Sequence, residues 1–316
     1  MTDTVTRAPI DLAGKRLLIT GPTGQVALPV VAAYAKTAEV FALARFKREE
    51  DAAQIRGLGA VPIKADLGDA ASLRQVPADI DYVLNFAVAK SGTWAVDLRA
   101  NAEGIGELMM QLPRAKAVVH FSSGAVYAYG GHAPRREDSA LGDNHRSLFP
   151  TYSISKIAAE TVVRFCARRL GVPATIARLS VPYGTNGGWP FYHLLMMRQG
   201  IPIIVHPERP NLYNLLHEDD YLEKIPRLLA AASVDATTVN FGGSEPTSIE
   251  EWCGYLQELT GLVPKFQEDP ETFGSLCLDT ERMNRLIGPT RVDWRDGILR
   301  MVRHLAPDAL KPAYRG

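Results

Sequence analysis

The stretch RLLITGPTGQVALPVVAAYA, residues 16–35, decides the fold. An apolar run, RLLIT, leads directly into Gly21-Pro22-Thr23-Gly24-Gln25-Val26-Ala27, and a helical pattern follows at once. Glycines let a backbone turn tightly and approach a pyrophosphate, while the helix beyond supplies N–H donors and positive potential. Ala27 stands where a third glycine is usual, a change the motif tolerates. A two-glycine turn alone is weak evidence. Here the same rhythm continues downstream: EVFALA (39–44), VPIKA (61–65), DYVLNFAV (81–88), AVVHFSS (117–123) and PATIARL (173–179) read as buried strands. Segments 24–36, 48–57, 68–75, 94–112 and 151–170 suit helices between them. Such alternation implies an α/β protein, a Rossmann doubly wound parallel sheet with helices on both faces.

Beyond about residue 181 the rhythm changes, which predicts a smaller, interleaved C-terminal substrate-binding lobe. We read residues 1–180 as the dinucleotide-binding domain and 181–316 as mainly the lobe, with TTVNFGG (237–243) returning as a strand of the sheet. Ser248, with Glu251 three residues on, reads as a helix cap.

Bulk properties narrow the classes. Lys+Arg and Asp+Glu balance at 35 each, so no global field recruits nucleic acid or an anionic membrane. The longest apolar runs are too short to span a bilayer, and MTDTVTRAPIDLAGK lacks the apolar core of a signal peptide. Cys166, Cys253 and Cys277 lie far apart without metal-ligand spacing, and the histidines suggest no metal site. The expectation is a cytoplasmic protein with reduced thiols and a small-molecule substrate.

The end of the second strand speaks to the cofactor. An acidic residue there would bind the NAD ribose, and a basic one the 2′-phosphate of NADP. The chain has Ala44-Arg45-Phe46-Lys47-Arg48, so NADP is favoured over NAD through Arg45, although Lys47 and Arg48 also suit a solvated helix start. Asp66 and Leu67 fall where an adenine edge would lie, and Phe86, Ala87 and Val88 end the fourth strand beside the ribose.

YSISK, residues 152–156, carries the chemistry. Tyr152 and Lys156 are one helical turn apart and share a face. A neighbouring ammonium lowers the pKa of a phenol and fits it for moving protons; a surface lysine beside a half-buried tyrosine has the same spacing.

Together with ADL (65–67), NFAV (85–88), NAEGIGELM (101–109), HFSSGAVYA (120–128), RLSVPYG (178–184), LHEDD (216–220) and NFGGSEPTS (240–248), these segments resemble the extended short-chain dehydrogenase/reductase superfamily. That group includes nucleotide-sugar epimerases and dehydratases. The resemblance covers almost the whole chain and implies that Tyr152 is the acid–base, that Lys156 holds the nicotinamide ribose, and that Ser123 bonds the substrate oxygen. Asn101 would contribute to the proton path. The cofactor set becomes Gly21, Thr23, Gly24, Gln25, Val26, Arg45, Asp66, Leu67, Phe86, Ala87, Val88, Tyr152, Lys156 and Val181. Ser123, Gly124, Trp94, Tyr192 and His193 would face the substrate, with Trp189, Phe191, Met196 and Met197 in the same segments.

Departures from the family pattern shape the substrate reading. Val181 and Tyr213 occupy positions where nucleotide-sugar enzymes carry an Asn and an Arg for the diphosphate, and Arg209 is a nearby substitute. Gly124-Ala125 replaces the Asp-Glu of the dehydratases. The leading expectation is therefore an NADP-dependent oxidoreductase for a carbonyl or alcohol of a small, non-nucleotide, aromatic or apolar molecule. An epimerase with retained cofactor acting on a sugar or nucleotide-sugar comes next, and a non-catalytic NAD(P)-binding regulator last. The resemblance also implies a homodimer packed through 94–112 and 151–170.

Overall fold

A computed structural model describes residues 8–315; the leader reading at residues 1–7 lies outside them. Strands β1 (Arg16–Thr20), β2 (Glu39–Ala44), β3 (Val61–Lys64), β4 (Tyr82–Asn85), β5 (Ala117–Ser123) and β6 (Ala174–Leu179) form one sheet with Thr237–Phe241. Its seven strands run in the order β3-β2-β1-β4-β5-β6 and then Thr237–Phe241. Every pairing is parallel. Chain order reverses between β1 and β4, and such a switch point opens a crevice at the strands' C-terminal ends.

The strands are apolar throughout because both faces are covered. Leu17 and Ile19 of β1 pack into the layer beneath helices α1 (Ala27–Tyr34), α2 (Glu49–Gly57), α7 (Glu218–Ala230) and α9 (Glu281–Ile287), whereas Leu18 joins the opposite layer. That second layer holds α4 (Gly104–Gln111) and α5 (Tyr152–Leu170). Successive side chains of a strand point to opposite faces, so one strand serves both cores. A third core, around Trp252, Leu256, Ile298 and Met301, belongs to the C-terminal elements α6 (Trp189–Gln199), α8 (Ile249–Thr260) and α10 (Trp294–Leu305). Ser248 caps α8 in a reciprocal box with Glu251, an arrangement worth about 0.5–2 kcal/mol.

Two segments depart from the helical expectation. Residues 68–75 form only a 3₁₀ turn at Ser72–Gln75. Asp66 and Asp69 accept from Gly68 and Ala71 N–H groups, and such local bonds compete with helix. The run expected over 94–112 is α3 (Trp94–Leu98), a π-helical turn at Arg99–Glu103, and then α4. Gly104 and Gly106 let this run approach its neighbours closely: an added Cβ would lie 2.5 Å from the Leu67 carbonyl oxygen and 2.7 Å from Val162, respectively. No helix among the described residues is long and apolar enough to cross a membrane.

Candidate active site

The glycine turn is built by backbone. Gly21 adopts φ +64, and a Cβ there would sit 2.9 Å from Ala87 Cα. Its N–H donates to Leu43 O at 3.0 Å, and Gly24 N–H donates to Gly21 O at 3.0 Å. Thr20 ties the ends of β1 and β4 together, donating to Asn85 Oδ1 at 2.6 Å and accepting from Ala87 N at 3.0 Å. No side chain caps α1, and no acidic residue lies in its first turn. That donor set suits a pyrophosphate. Gln25 reaches the lobe, donating weakly to the Pro182 and Gly187 carbonyls at 3.3 and 3.4 Å.

From the turn a cleft opens in two connected chambers that share Gly21, Gly24, Phe86 and Val88. The first, about 590 Å³, is lined by Thr23, Arg45, Asp66, Leu67, Ala87 and Asn101 together with those four. Arg45 is exposed and has no ion pair among the described residues, whereas Arg48 is paired with Asp51. A dinucleotide fits these residues: tight glycines, uncapped N–H groups and a basic rim.

The second chamber, about 490 Å³, holds Gln25, Val26, Ser123, Tyr152, Lys156, Val181 and Tyr192. Tyr152 opens α5, and Lys156 follows one turn later at 3% exposure. Burial raises the phenol above its usual pKa, and a hydrogen bond with Ser123 opposes the rise. The Lys156 ammonium donates to Phe121 O at 2.8 Å. Desolvation, with a smaller push from Lys90, lowers it to about 8, and Glu160 opposes the fall. The expectation that Lys156 holds the phenol down is therefore corrected: in this structure the lysine spends its bond on β5, and burial governs the tyrosine.

One turn beyond Lys156, buried Glu160 grips Arg178 through two bonds of 2.9 and 2.8 Å and accepts from Ser122 at 2.7 Å. This network locks α5 onto β5 and β6, and with them the position of Tyr152.

Asn101 lies in the π-helical turn, and a π turn commonly marks a functional region. Its amide is engaged: Oδ1 accepts from Ala89 N at 2.6 Å, and Nδ2 donates to Ala89 O at 2.9 Å and Ser155 Oγ at 3.0 Å. It clamps the loop after β4 to α5.

Several residues at the second chamber were missed from sequence. Lys90, His145, Phe149, Phe273 and Leu276 line it beside Trp189 and Tyr213. His145 stacks on Phe273 with centroids 3.9 Å apart, and Trp189 meets Tyr213 edge-on at 5.1 Å. Burial, aided by Lys90, pushes His145 to about 3 and keeps it neutral. Only Lys90 carried a signal, two residues past Val88, where the sequence reading ends a strand that the structure ends at Asn85. The others sit in loops, where no periodicity marks an inward side.

Some expected contacts lie elsewhere. His193 does not line the chamber, because its face of α6 turns toward α8: it accepts from Trp252 Nε1 at 2.8 Å and stacks on that ring. Trp189 and Tyr192, three apart, face the cleft instead. Trp94 is 46% exposed and lines neither chamber. Gly124 is buried beneath Leu276, whose Cδ2 would lie 2.9 Å from an added Cβ. Phe191, Met196 and Met197 pack into the lobe core. The Tyr213 hydroxyl is bound to Gly274 O at 2.8 Å, and Arg209 pairs with Glu268 at 3.3 Å. His217 accepts from Asp219 N and caps α7. Among the described residues, no group of three or more His, Cys, Asp or Glu side chains could hold a metal.

A switch-point cleft with a glycine turn at one end and a Tyr-Lys pair at the other has the layout of the extended short-chain dehydrogenase/reductase superfamily. The sequence matches the NAD dependent epimerase/dehydratase family over residues 17–242, and the chain belongs to that family. Over 233 residues it is 26% identical to dTDP-glucose 4,6-dehydratase of Mycobacterium tuberculosis, covering 67% of this chain and 64% of that protein's length. The fold is shared with an epimerase of Methanothermobacter thermautotrophicus at TM-score 0.80 and 19% identity, over 94% of each chain. It is also shared with UDP-glucuronic acid 4-epimerase of Bacillus cereus, solved with UDP-glucuronic acid and NAD, at TM-score 0.76 and 19% identity, over 92% of this chain and 98% of that one.

Proposed function

We propose that the protein works as an epimerase does, oxidising and re-reducing one alcohol carbon of a sugar or nucleotide-sugar in a single site with a retained dinucleotide. The observation that carries this reading is the convergence of Ser123, Tyr152 and Lys156 on a chamber continuous with the glycine turn. The relatives, a sugar-nucleotide dehydratase and sugar-nucleotide epimerases, favour it. The dinucleotide would supply the hydride acceptor and donor. Tyr152 takes the hydroxyl proton and returns it, Ser123 holds the oxygen and bonds the phenol, and Lys156 would hold the ribose of the dinucleotide. Rings of Phe149, Trp189, Tyr192 and Phe273 line the walls. Dehydration is less favoured, since Gly124-Ala125 leaves no carboxylate after Ser123.

A second reading, an NADP-dependent reductase of a small apolar carbonyl compound, has its own support. Arg45 stands unpaired at the rim, and Val181 and Tyr213 offer a diphosphate no free donor or charge. The test is to purify the protein without added nucleotide, denature it, and identify any released dinucleotide by mass spectrometry. Retained NAD or NADP, one per chain, supports the epimerase reading. An empty site that prefers NADPH in titration sinks it and promotes the reductase.

A homodimer belongs to the same proposal. Phe165 on α5 is 62% exposed and Met110 on α4 is 52% exposed, an apolar face that a second copy would cover. Elution of Phe165→Glu at the wild-type mass would remove this point.

A further inference from the structure

We propose that Lys90 anchors an anionic group of the substrate, and that the molecule handled beside Tyr152 carries a carboxylate near its reacting carbon. This rests on the reading that the second chamber receives the substrate.

The Lys90 ammonium lies 4.5 Å from the centroid of the Phe149 ring and 4.6 Å from that of Tyr152. An anion paired with it would sit close to the phenol. The backbone that carries Lys90 is held on both sides. Asn101 grips Ala89 through two bonds, while buried Asp97 accepts from Ser91 N and Oγ at 3.0 and 2.7 Å and from Gly92 N at 3.0 Å. Asp97 also accepts from Thr151 Oγ1 at 2.5 Å, just before Tyr152. A loop so fixed places its charge without the entropy of ordering a mobile segment.

Apart from those two rings, the charge meets no counter-ion among the described residues. Among the described residues no carboxylate pairs with Lys90, and no Asp or Glu lines the chamber. The side chain keeps access to the cleft, yet the flanking rings strip part of its water and lower its pKa. His145 is neutral and offers no compensation. An ammonium held against aromatic faces gains from a counter-ion brought by a ligand. Lys156 lies in the same chamber but donates to Phe121 O, so Lys90 is the ammonium there without an oxygen partner among the described residues, and one carboxylate supplies the charge it needs. Lys90 does not line the chamber of Arg45 and Asp66, which sets it apart from the adenosine end of a dinucleotide.

The experiment compares benzoate with benzamide, similar in shape and differing in charge, by ligand-observed NMR titration. It uses wild type, Lys90→Met and Lys90→Arg, with NADH and NADPH affinities measured alongside. Wild type is expected to hold benzoate about tenfold more tightly than benzamide, an effect the size of one charge-assisted hydrogen bond. Lys90→Met should erase the difference and Lys90→Arg should keep it, with dinucleotide affinity unchanged in both. Equal binding of the two probes to wild type overturns the proposal, as does a benzoate preference that survives in Lys90→Met. A loss of NADH and NADPH binding in Lys90→Met overturns it too, because Lys90 would then serve the cofactor. The titrations need no turnover, so the redox reading can fail while this result stands.

Discussion

The two ends of the cleft are made of different material. At the Gly21 end, backbone does the recognising: a turn at φ +64, uncapped N–H groups and strand ends tied by Thr20 and Asn85. At the Tyr152 end, side chains do it, contributed by α5, α6 and loops near residues 90, 145 and 273. A backbone site tolerates little variation, because even a methyl group collides. A side-chain site can change its preference one residue at a time. The first end suits a part common to many enzymes, and the second suits a part that sets this one apart.

Four changes would break or sharpen this contrast. The largest effect belongs to Tyr152→Phe, which removes the proton carrier and should cut turnover by about 10²–10⁴-fold while dinucleotide binding persists. Steady-state rates beside a binding titration check it; unchanged turnover would exclude Tyr152 as the acid–base. Next comes Gly21→Ala. The positive φ costs about 1–3 kcal/mol and the new Cβ meets Ala87, so thermal stability and dinucleotide affinity should fall together. Retained affinity would show that the turn bends more readily than its geometry implies.

Arg45→Ser should reduce the preference for NADPH over NADH by about tenfold, the loss of one charged hydrogen bond, with NADH binding kept. A preference that stays put would assign the 2′-phosphate to another residue. The fourth change probes acid sensitivity in the second chamber. His145 is held neutral in the fold, from an ordinary 6.5 down to about 3, so the unfolded chain takes up a proton that the folded chain refuses. Its contribution is complete above pH 6.5 and is lost as pH falls toward 3. Melting temperature should decline across that range, and less steeply in His145→Phe. His193, lowered to about 4 by burial, adds to the slope in both proteins.

The same contrast explains what could be read from the chain. The sheet was legible because its strands are buried on both faces and leave continuous apolar runs, and the glycine turn because φ and close approach dictate residue type. Tyr152 and Lys156 announced themselves by helical spacing. The phenol's burial did not, since it depends on how the loop carrying His145 and Phe149 folds back over the ring, which no periodicity marks. His193 misled because an aromatic helix of known position has no readable direction until α8 packs against it. The π-helical turn at Asn101 was equally hidden, as an extra residue per turn leaves no composition signature.

Asp97 carries a consequence of its own. One carboxylate binds the loop of Lys90 and the threonine before Tyr152, while Tyr152 N–H donates to Phe149 O, so the charge and the phenol share a mount with loop 145 that contains no residue of loop 273. The loop near residue 273 stands outside that mount, and its residues can be recoloured by mutation without moving the reacting groups. A lineage could explore new substrates on this frame while its chemistry stays in register.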